Sequence, residues 1–281
     1  METGTTDLAR LFARLIAERT LELPPLPSTA AEVIALGQQE GTDARRLSDV
    51  IHRDQAIASN VLRVANSAAY ATQTPCASLQ QAISRLGMRL IGEIAVAVAV
   101  RGRAFANETR AQLLAELWRH SVLTAFFTKE IARLRRRNVE VAFLCGLLHD
   151  IGKAVLLNNV ERALGAADGA SLDELLRVVH DQHVAAGGLL AAHWRMPTEV
   201  AQAIQCHDEP DRATNGVEMA RSVCLANALA NFVAPTRIGG SCDEATLRSH
   251  PVRLGLDLYP DQLDALLGMR ARALQSAEDL S

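Results

Sequence analysis

His149 and Asp150 stand side by side after the apolar run Gly146-Leu147-Leu148, and Ile151-Gly152-Lys153 follows them. A neutral imidazole and a carboxylate placed this way can both reach one divalent metal ion. Further histidines lie on both sides. His120 is 29 residues before His149, His183 is 34 after it, and His207 follows 24 later. A metal in such a site makes hydroxide from bound water near neutral pH and offsets the charge of a phosphoryl group. The same residues have a second reading, in which His149 and Asp150 bond each other and nearby helix ends as a buried polar network.

The elements that must position these groups read as helices. Residues 1–20 form an amphipathic pattern with Leu8, Leu11, Phe12, Leu15 and Ile16 on one stripe, and Pro24-Pro25 breaks it. Thr29 with Glu32 and Ser78 with Gln81 have the spacing of capping boxes, and Asp43 and Asp54 suit helix N-caps. Gly87 is placed to end one helix before the nearly all-apolar stretch 88–105. Further helical patterns cover 110–134, 139–157, 171–194, 198–207, 216–233 and 260–275. No segment alternates with period two for long enough to predict a strand, so the expected class is all-α. Polar stretches near 106–110 and 234–252 are the weak joints of the chain.

Composition narrows the classes. The chain has 281 residues, 49% of them hydrophobic and 4% aromatic, enough for a large core of closely packed helices. A net charge of −3 gives no basic footprint, so direct nucleic-acid binding is not expected. Four arginines within Arg133–Arg137 read as a solvated helix end. The five cysteines form no CxxC pair, and Cys145 suits a small core residue. The longest apolar run, Ile94 to Val100, is too short for a membrane span, and the expectation is a cytoplasmic protein. Trp118 and Trp194 suit packing, and Asn66 and Ser67 suit the satisfaction of backbone groups where helices join.

Taken together, these segments resemble the HDOD proteins, a bacterial branch of the HD superfamily. The N-terminal half carries Leu23-Pro-x-Leu-Pro27, Ile51-x-x-Asp54, Ala65-Asn66-Ser67-Ala-x-Tyr70 and Ala82-Ile-x-x-Leu86-Gly87. The C-terminal half carries Trp118-x-His120-Ser121, Gly146-Leu-Leu-His149-Asp150-Ile-Gly152-Lys153 and His183-x-x-x-Gly187 leading to Trp194-x-x-Pro197. The resemblance implies a multi-helical HDOD fold, with an N-terminal helical subdomain packed on an HD-phosphohydrolase-like helical half. It implies residues 1–20 as an N-terminal helix and 21–235 as the HDOD domain, divided into 21–107 and 108–235. A C-terminal loop and helix would occupy 236–281.

The resemblance also implies a ligand set. His120, His149, Asp150, His183 and His207 match the positions at which HD enzymes hold one or two divalent ions (Fe, Mn, Zn or Mg). Asn227, in Leu225-Ala226-Asn227, falls where those enzymes place an Asp. A neutral amide is a weaker ligand than a carboxylate. Asp208, Asp211 and Glu218 are the nearby carboxylates that could replace it, and His180 lies three residues before His183. If the chain is an enzyme, Asp150 and Lys153 are its catalytic candidates, with Lys153 on a phosphate oxygen; otherwise Lys153 pairs with Asp150. His52, His193 and His250 receive no role.

Two functions follow from the resemblance. The first is a regulatory, signal-transduction module that binds a signalling protein partner or a small ligand such as a nucleotide, without efficient catalysis. The second is a metal-dependent phosphohydrolase acting on a nucleotide or phosphodiester. The Gly-Tyr-Pro motif of cyclic-di-GMP phosphodiesterases does not occur, and His207-Asp208-Glu209-Pro210 stands where they place His-His-Glu, so hydrolysis of that dinucleotide is not expected.

Overall fold

The computed structural model of the chain describes residues 3–37, 43–67, 70, 75–160, 163 and 171–280. The fold is all-α. Among the described residues there is no β-strand, and one isolated bridge pairs Thr236 with Gly240. No described helix is long and apolar enough to cross a membrane.

The first five helices are α1 (Thr3–Ala17), α2 (Ser28–Gly37), α3 (Ala44–His52), α4 (Gln55–Ala65) and α5 (Leu79–Ala104). Local chemistry starts several of them. Asp43 accepts from the Arg46 N–H at 2.7 Å, Asp54 accepts from Ala56 and Ile57, and Ser78 accepts from Gln81 at 3.2 Å. Each such cap contributes ~1 kcal/mol. The Gln81 side chain accepts from Ala77 at 2.7 Å, which completes the reciprocal cap one residue early. The Thr29–Glu32 box does not form. Helix α2 begins at Ser28, Thr29 is buried in its first turn, and Glu32 pairs instead with Arg53. Gly87 has φ +83°, a left-handed value that L side chains rarely adopt, and it kinks α5 where the apolar stretch begins. Gly41 and Thr42, which read as a stop before the Asp43 cap, lie outside the described residues.

The next six helices are α6 (Ala111–Leu134), α7 (Val139–Leu148), α8 (Ile151–Asn158), α9 (Leu172–His193), α10 (Thr198–Cys206) and α11 (Val217–Val233). Helix α6 is the central rod. It packs on α7, on α11 and on the C-terminal helix α15 (Arg270–Asp279), while α8 lies along α9. Two close crossings set this arrangement. A Cβ at Gly146 would lie 2.7 Å from the Ala125 Cα, and one at Gly152 would lie 1.9 Å from the His183 carbonyl oxygen. Only glycine lets α7 meet α6, and α8 meet α9, at this distance.

Several sequence-based boundaries are corrected. The pattern over 139–157 is two helices, broken at His149–Asp150, where Asp150 leaves helical geometry with φ −98° and ψ 12°. Periodicity could not reveal the break, because both pieces are buried almost all round. The pattern over 260–275 splits into α14 (Pro260–Leu267) and α15, after the short helices α12 (Glu244–Arg248) and α13 (Val252–Gly255). The arginine run is not merely solvated. Arg135 and Arg137 both pair with Glu218, Arg135 also reaches Asp257 at 3.5 Å, and Arg133 pairs with Glu130.

Both ends of the chain lie on the core. Gln182 of α9 donates to the Ala9 carbonyl at 3.3 Å, and the Trp118 indole donates to the Leu280 carbonyl at 2.9 Å. Trp194 donates to the Pro24 carbonyl at 2.7 Å. Asn66 exchanges two hydrogen bonds with the Cys76 backbone, as its position at a helix end predicts.

Candidate metal centre

Five helices deliver one residue set to one point. His120 projects from the middle of α6, His149 closes α7, Asp150 and Lys153 open α8, His183 projects from α9, and His207 closes α10. Asp150 is the hub. Its Oδ2 lies 3.6 Å from His120 Nε2 and 3.3 Å from His149 Nε2. Its Oδ1 lies 3.3 Å from His183 Nε2 and 3.5 Å from His207 Nε2. The carboxylate thus faces two imidazoles with each oxygen, and the four histidines and Asp150 are at most 2% exposed.

Backbone carbonyls orient the rings. The Nδ1 atoms of His149, His183 and His207 each lie against the carbonyl three residues earlier, at Gly146, His180 and Ile204. Donation from Nδ1–H there leaves Nε2 as the lone-pair nitrogen turned inward, the arrangement that suits a metal ligand. His180 therefore supplies a carbonyl, and its ring stacks on His183 from the exposed side. His52 and His193 are exposed.

Several buried polar atoms here have no hydrogen-bond partner: both ring nitrogens of His120, His149 Nε2 and Asp150 Oδ1. Leaving one such atom unpaired costs ~1–3 kcal/mol. Two triads, His120–His149–Asp150 and Asp150–His183–His207, have ligand atoms within 4.8 Å of one another. Divalent ions beside Asp150 would satisfy His120 Nε2, His149 Nε2 and Asp150 Oδ1, so the donor set fits the chemistry expected of it.

The electrostatics agree with that use. Burial, assisted by His149, pushes His120 down to about 3. Burial likewise lowers His183 to about 4, against the pull of Asp150. His207 moves the other way: burial opposes its charge, but Asp150 and Asp208 outweigh that and raise it. Burial alone would raise Asp150, yet His149 and Lys153 hold its carboxyl well below the usual range. The His183 and His207 Nε2 atoms face each other at 3.1 Å. Two lone pairs cannot meet at that distance, so without an ion one ring must carry a proton, and His207 is the ring that favours it.

The other predicted residues separate cleanly. Asn227 lies beside His120, where its amide favours a protonated ring, and it accepts from Asn231 at 3.2 Å. Of the three carboxylates considered as replacements, Glu218 pairs with Arg135 and Arg137, and Asp211 pairs with Arg221. Asp208 reaches the cluster, 3.5 Å from His183 Nε2 and 3.6 Å from His207 Nε2. It therefore adds a carboxylate to the second triad and leaves the Asn227 position uncompensated.

Sequence reasoning missed the turn at 236–240. Lys153 Nζ donates to Asp150 Oδ2 at 2.7 Å and to the Ile238 carbonyl at 3.2 Å. A Cβ at Gly239 would lie 2.9 Å from His120 Nδ1. The turn, closed by the Thr236–Gly240 bridge, is pressed onto the first triad. Its signal in the sequence is the pair Gly239-Gly240 inside a polar stretch.

Comparison with known proteins agrees with the fold. The HDOD domain model matches residues 23–210. An uncharacterized protein of Treponema pallidum (strain Nichols) is 24% identical over 291 residues, covering 99% of this chain and 53% of its own length. The chain thus spans about half the length of that relative. A shorter similarity, 33% identity over 88 residues, links 31% of the chain to 14% of ribonuclease Y of Mycoplasmoides gallisepticum (strain R(low / passage 15 / clone 2)). Among solved structures, an HDOD domain protein of Geobacter sulfurreducens superposes with a TM-score of 0.73 at 20% identity, over 98% of both chains. A provisional metal-dependent phosphohydrolase of Shewanella amazonensis SB2B superposes with a TM-score of 0.72 at 21% identity, over 97% of this chain and 99% of its own. The chain belongs to the HDOD family.

Proposed function

We propose that the protein is a regulatory, signal-transduction module whose histidine–aspartate cluster holds divalent metal without efficient turnover. The observation that carries this reading is the state of Lys153. Its side chain is 4% exposed, and two of its three N–H donors are spent on Asp150 and the Ile238 carbonyl, which holds the ammonium inside the protein and away from an incoming phosphate. His120, His149, Asp150, His183 and His207 are equally closed to solvent.

A bound ion would be held by His120, His149 and Asp150, and a second by Asp150, His183, His207 and Asp208. Such an ion would supply positive charge and hold its ligands together, and in enzymes it also activates water. Here the residues chiefly tie helices together: α6, α7, α8, α9 and α10 all converge on Asp150. We propose that residues 21–107 and 108–235 act as two subdomains, the cluster lying wholly in the second, with output through a signalling protein partner or a small ligand. Phosphodiester hydrolysis tests the reading. With Mn, Fe, Zn or Mg added, bis-p-nitrophenyl phosphate should be cleaved no faster than by a His149→Ala variant. Metal-dependent turnover lost in that variant would overturn it.

A second reading, a metal-dependent phosphohydrolase, is favoured by one observation: Asp208 brings a carboxylate to the second triad from a side chain that is 42% exposed. The provisional name of the Shewanella relative points the same way. Asp208→Asn separates the readings, since only an enzyme would lose activity by that change.

A further inference from the structure

The turn at 236–240 belongs to a short strap, residues 234–243, that lies against the histidine cluster between α11 and α12. Both of its ends are anchored. Ala234 donates to the Ala230 carbonyl at 2.9 Å to close α11, and Asp243 accepts from the Thr246 N–H at 2.7 Å to start α12. The bonds that shape the strap are its own. Thr236 and Gly240 exchange backbone hydrogen bonds at 3.0 and 3.1 Å, and Gly239 donates to the Thr236 hydroxyl at 2.8 Å. Ile238 is buried, while Pro235, Arg237, Gly240 and Ser241 are exposed. The strap is therefore one chain thick, with solvent on one side and the cluster on the other.

Its fit is imperfect in a specific way. Closing it buries Ile238 and gives Lys153 an acceptor, the Ile238 carbonyl at 3.2 Å. It also brings Gly239 so close that a Cβ there would lie 2.9 Å from His120 Nδ1 and 3.1 Å from Asn231 Oδ1. Both of those atoms are buried without a hydrogen-bond partner. Gly239 has given its N–H to Thr236, so the strap covers the two atoms and bonds neither. Burying unpaired polar atoms is unfavourable, and water admitted by a lifted strap would satisfy both. The gains and losses of closing are of similar size. A segment balanced in this way opens more readily than the packed helices around it.

We infer that residues 234–243 are a hinged strap that opens as a unit, by rotation at its two ends, and uncovers Lys153 and the His120 side of the cluster while the helices stay folded. Closed, the Ile238 carbonyl occupies a Lys153 donor and holds the place that an incoming oxyanion would take on that ammonium. Open, Lys153 and His120 are presented to solvent. Its use as a switch rests on the reading of the cluster as a regulatory metal site. Its opening does not, and can be measured without metal.

The lysines of the chain are Lys129 and Lys153 alone, which makes Lys153 a specific reporter. Lys129 lies further along α6 than His120 and pairs with Glu93, so it serves as the reference. The test is amine modification of the full chain in EDTA with a soluble N-hydroxysuccinimide ester, each lysine being followed by peptide mass spectrometry. In the wild type, Lys153 should react slowly, at a rate that urea below the unfolding transition leaves unchanged, because a local opening exposes little new surface. Gly239→Ala crowds Thr236 Oγ1 at 2.7 Å as well as His120 and Asn231, and should raise the ratio of Lys153 to Lys129 modification about tenfold. Ile238→Ala, which removes the buried side chain, should raise it severalfold. The inference is overturned if Lys153 of the wild type does not react, or if its reaction accelerates with urea as global unfolding does. It is also overturned if Lys129 rises in step with Lys153 in the variants, or if neither variant changes the ratio.

Discussion

Gly152→Ala is the sharpest structural perturbation. A Cβ at this position would lie 1.9 Å from the His183 carbonyl oxygen, 2.6 Å from the Gly187 nitrogen and 2.8 Å from the His183 carbonyl carbon. All three are backbone atoms, so no rotamer relieves the contact. Helices α8 and α9 must separate by about 1 Å or more before the pair reaches a tolerable distance. Overpacking of this kind costs ~1–3 kcal/mol, and the upper end applies because the whole crossing must move. The same shift carries His183 away from Asp150, which now lies 3.3 Å from it. Gly187→Ala is the milder comparison: its Cβ would meet the Ile204 Cγ2 at 2.7 Å, one side-chain atom in place of three backbone atoms. Urea unfolding measures both. With a slope of ~3 kcal/mol per M, Gly152→Ala should lower the midpoint by about 1 M with the slope unchanged, and Gly187→Ala by clearly less. A Gly152→Ala protein within about 0.5 kcal/mol of wild type would refute the claim that this crossing positions the site.

Other outcomes follow from the cluster itself. His120 and His183 have folded values near 3 and 4, below the ordinary imidazole value, so their contribution to stability is complete above about pH 6.5 and is lost as pH falls. His207 is raised, so its contribution is present below that pH and is lost as pH rises through its folded value. Metal-free protein should therefore be most stable near about pH 6.5, and thermal unfolding in EDTA across pH 4.5–8.5 checks this. A stability that rises steadily towards acid would contradict it. Metal binding must displace the proton shared by His183 and His207, so it should release protons, more at pH 6 than at pH 8, readable with an indicator dye in weak buffer. Asn227→Asp places a carboxylate beside His120 and should tighten Mn binding by about 10–100-fold in a competition titration. An unchanged affinity would mean that the amide position does not face the ion. Trp118→Phe removes the donor to the Leu280 carbonyl and should cost ~1 kcal/mol in urea unfolding, chiefly by loosening α15.

Much of this was legible in the residues. The N-caps at Asp43, Asp54 and Ser78 announce themselves because a short polar side chain precedes an apolar helical run. The five residues His120, His149, Asp150, His183 and His207 do meet at one carboxylate. The break at His149–Asp150 was not legible, because helices buried on all sides carry no amphipathic phase to show where one stops. The arginine run looked solvated because the partners of Arg135 and Arg137, Glu218 and Asp257, are about 80 or more residues away in the chain, and spacing is blind to such pairs. Asp208 could be named beforehand only as one of three carboxylates; choosing it required the place where α10 ends. The Ile238 carbonyl on Lys153 had no side-chain signal, since any residue supplies a carbonyl.

The most direct test of the central claim is elemental analysis of protein purified without chelator or affinity metal, with His149→Ala beside it. The orphaned nitrogens and the shared Asp150 predict about one or two equivalents of Fe, Mn or Zn in the wild type and a clear loss in the variant. Metal absent from both, even after incubation with each ion, would contradict the account and leave the cluster as a hydrogen-bonded network that joins five helices.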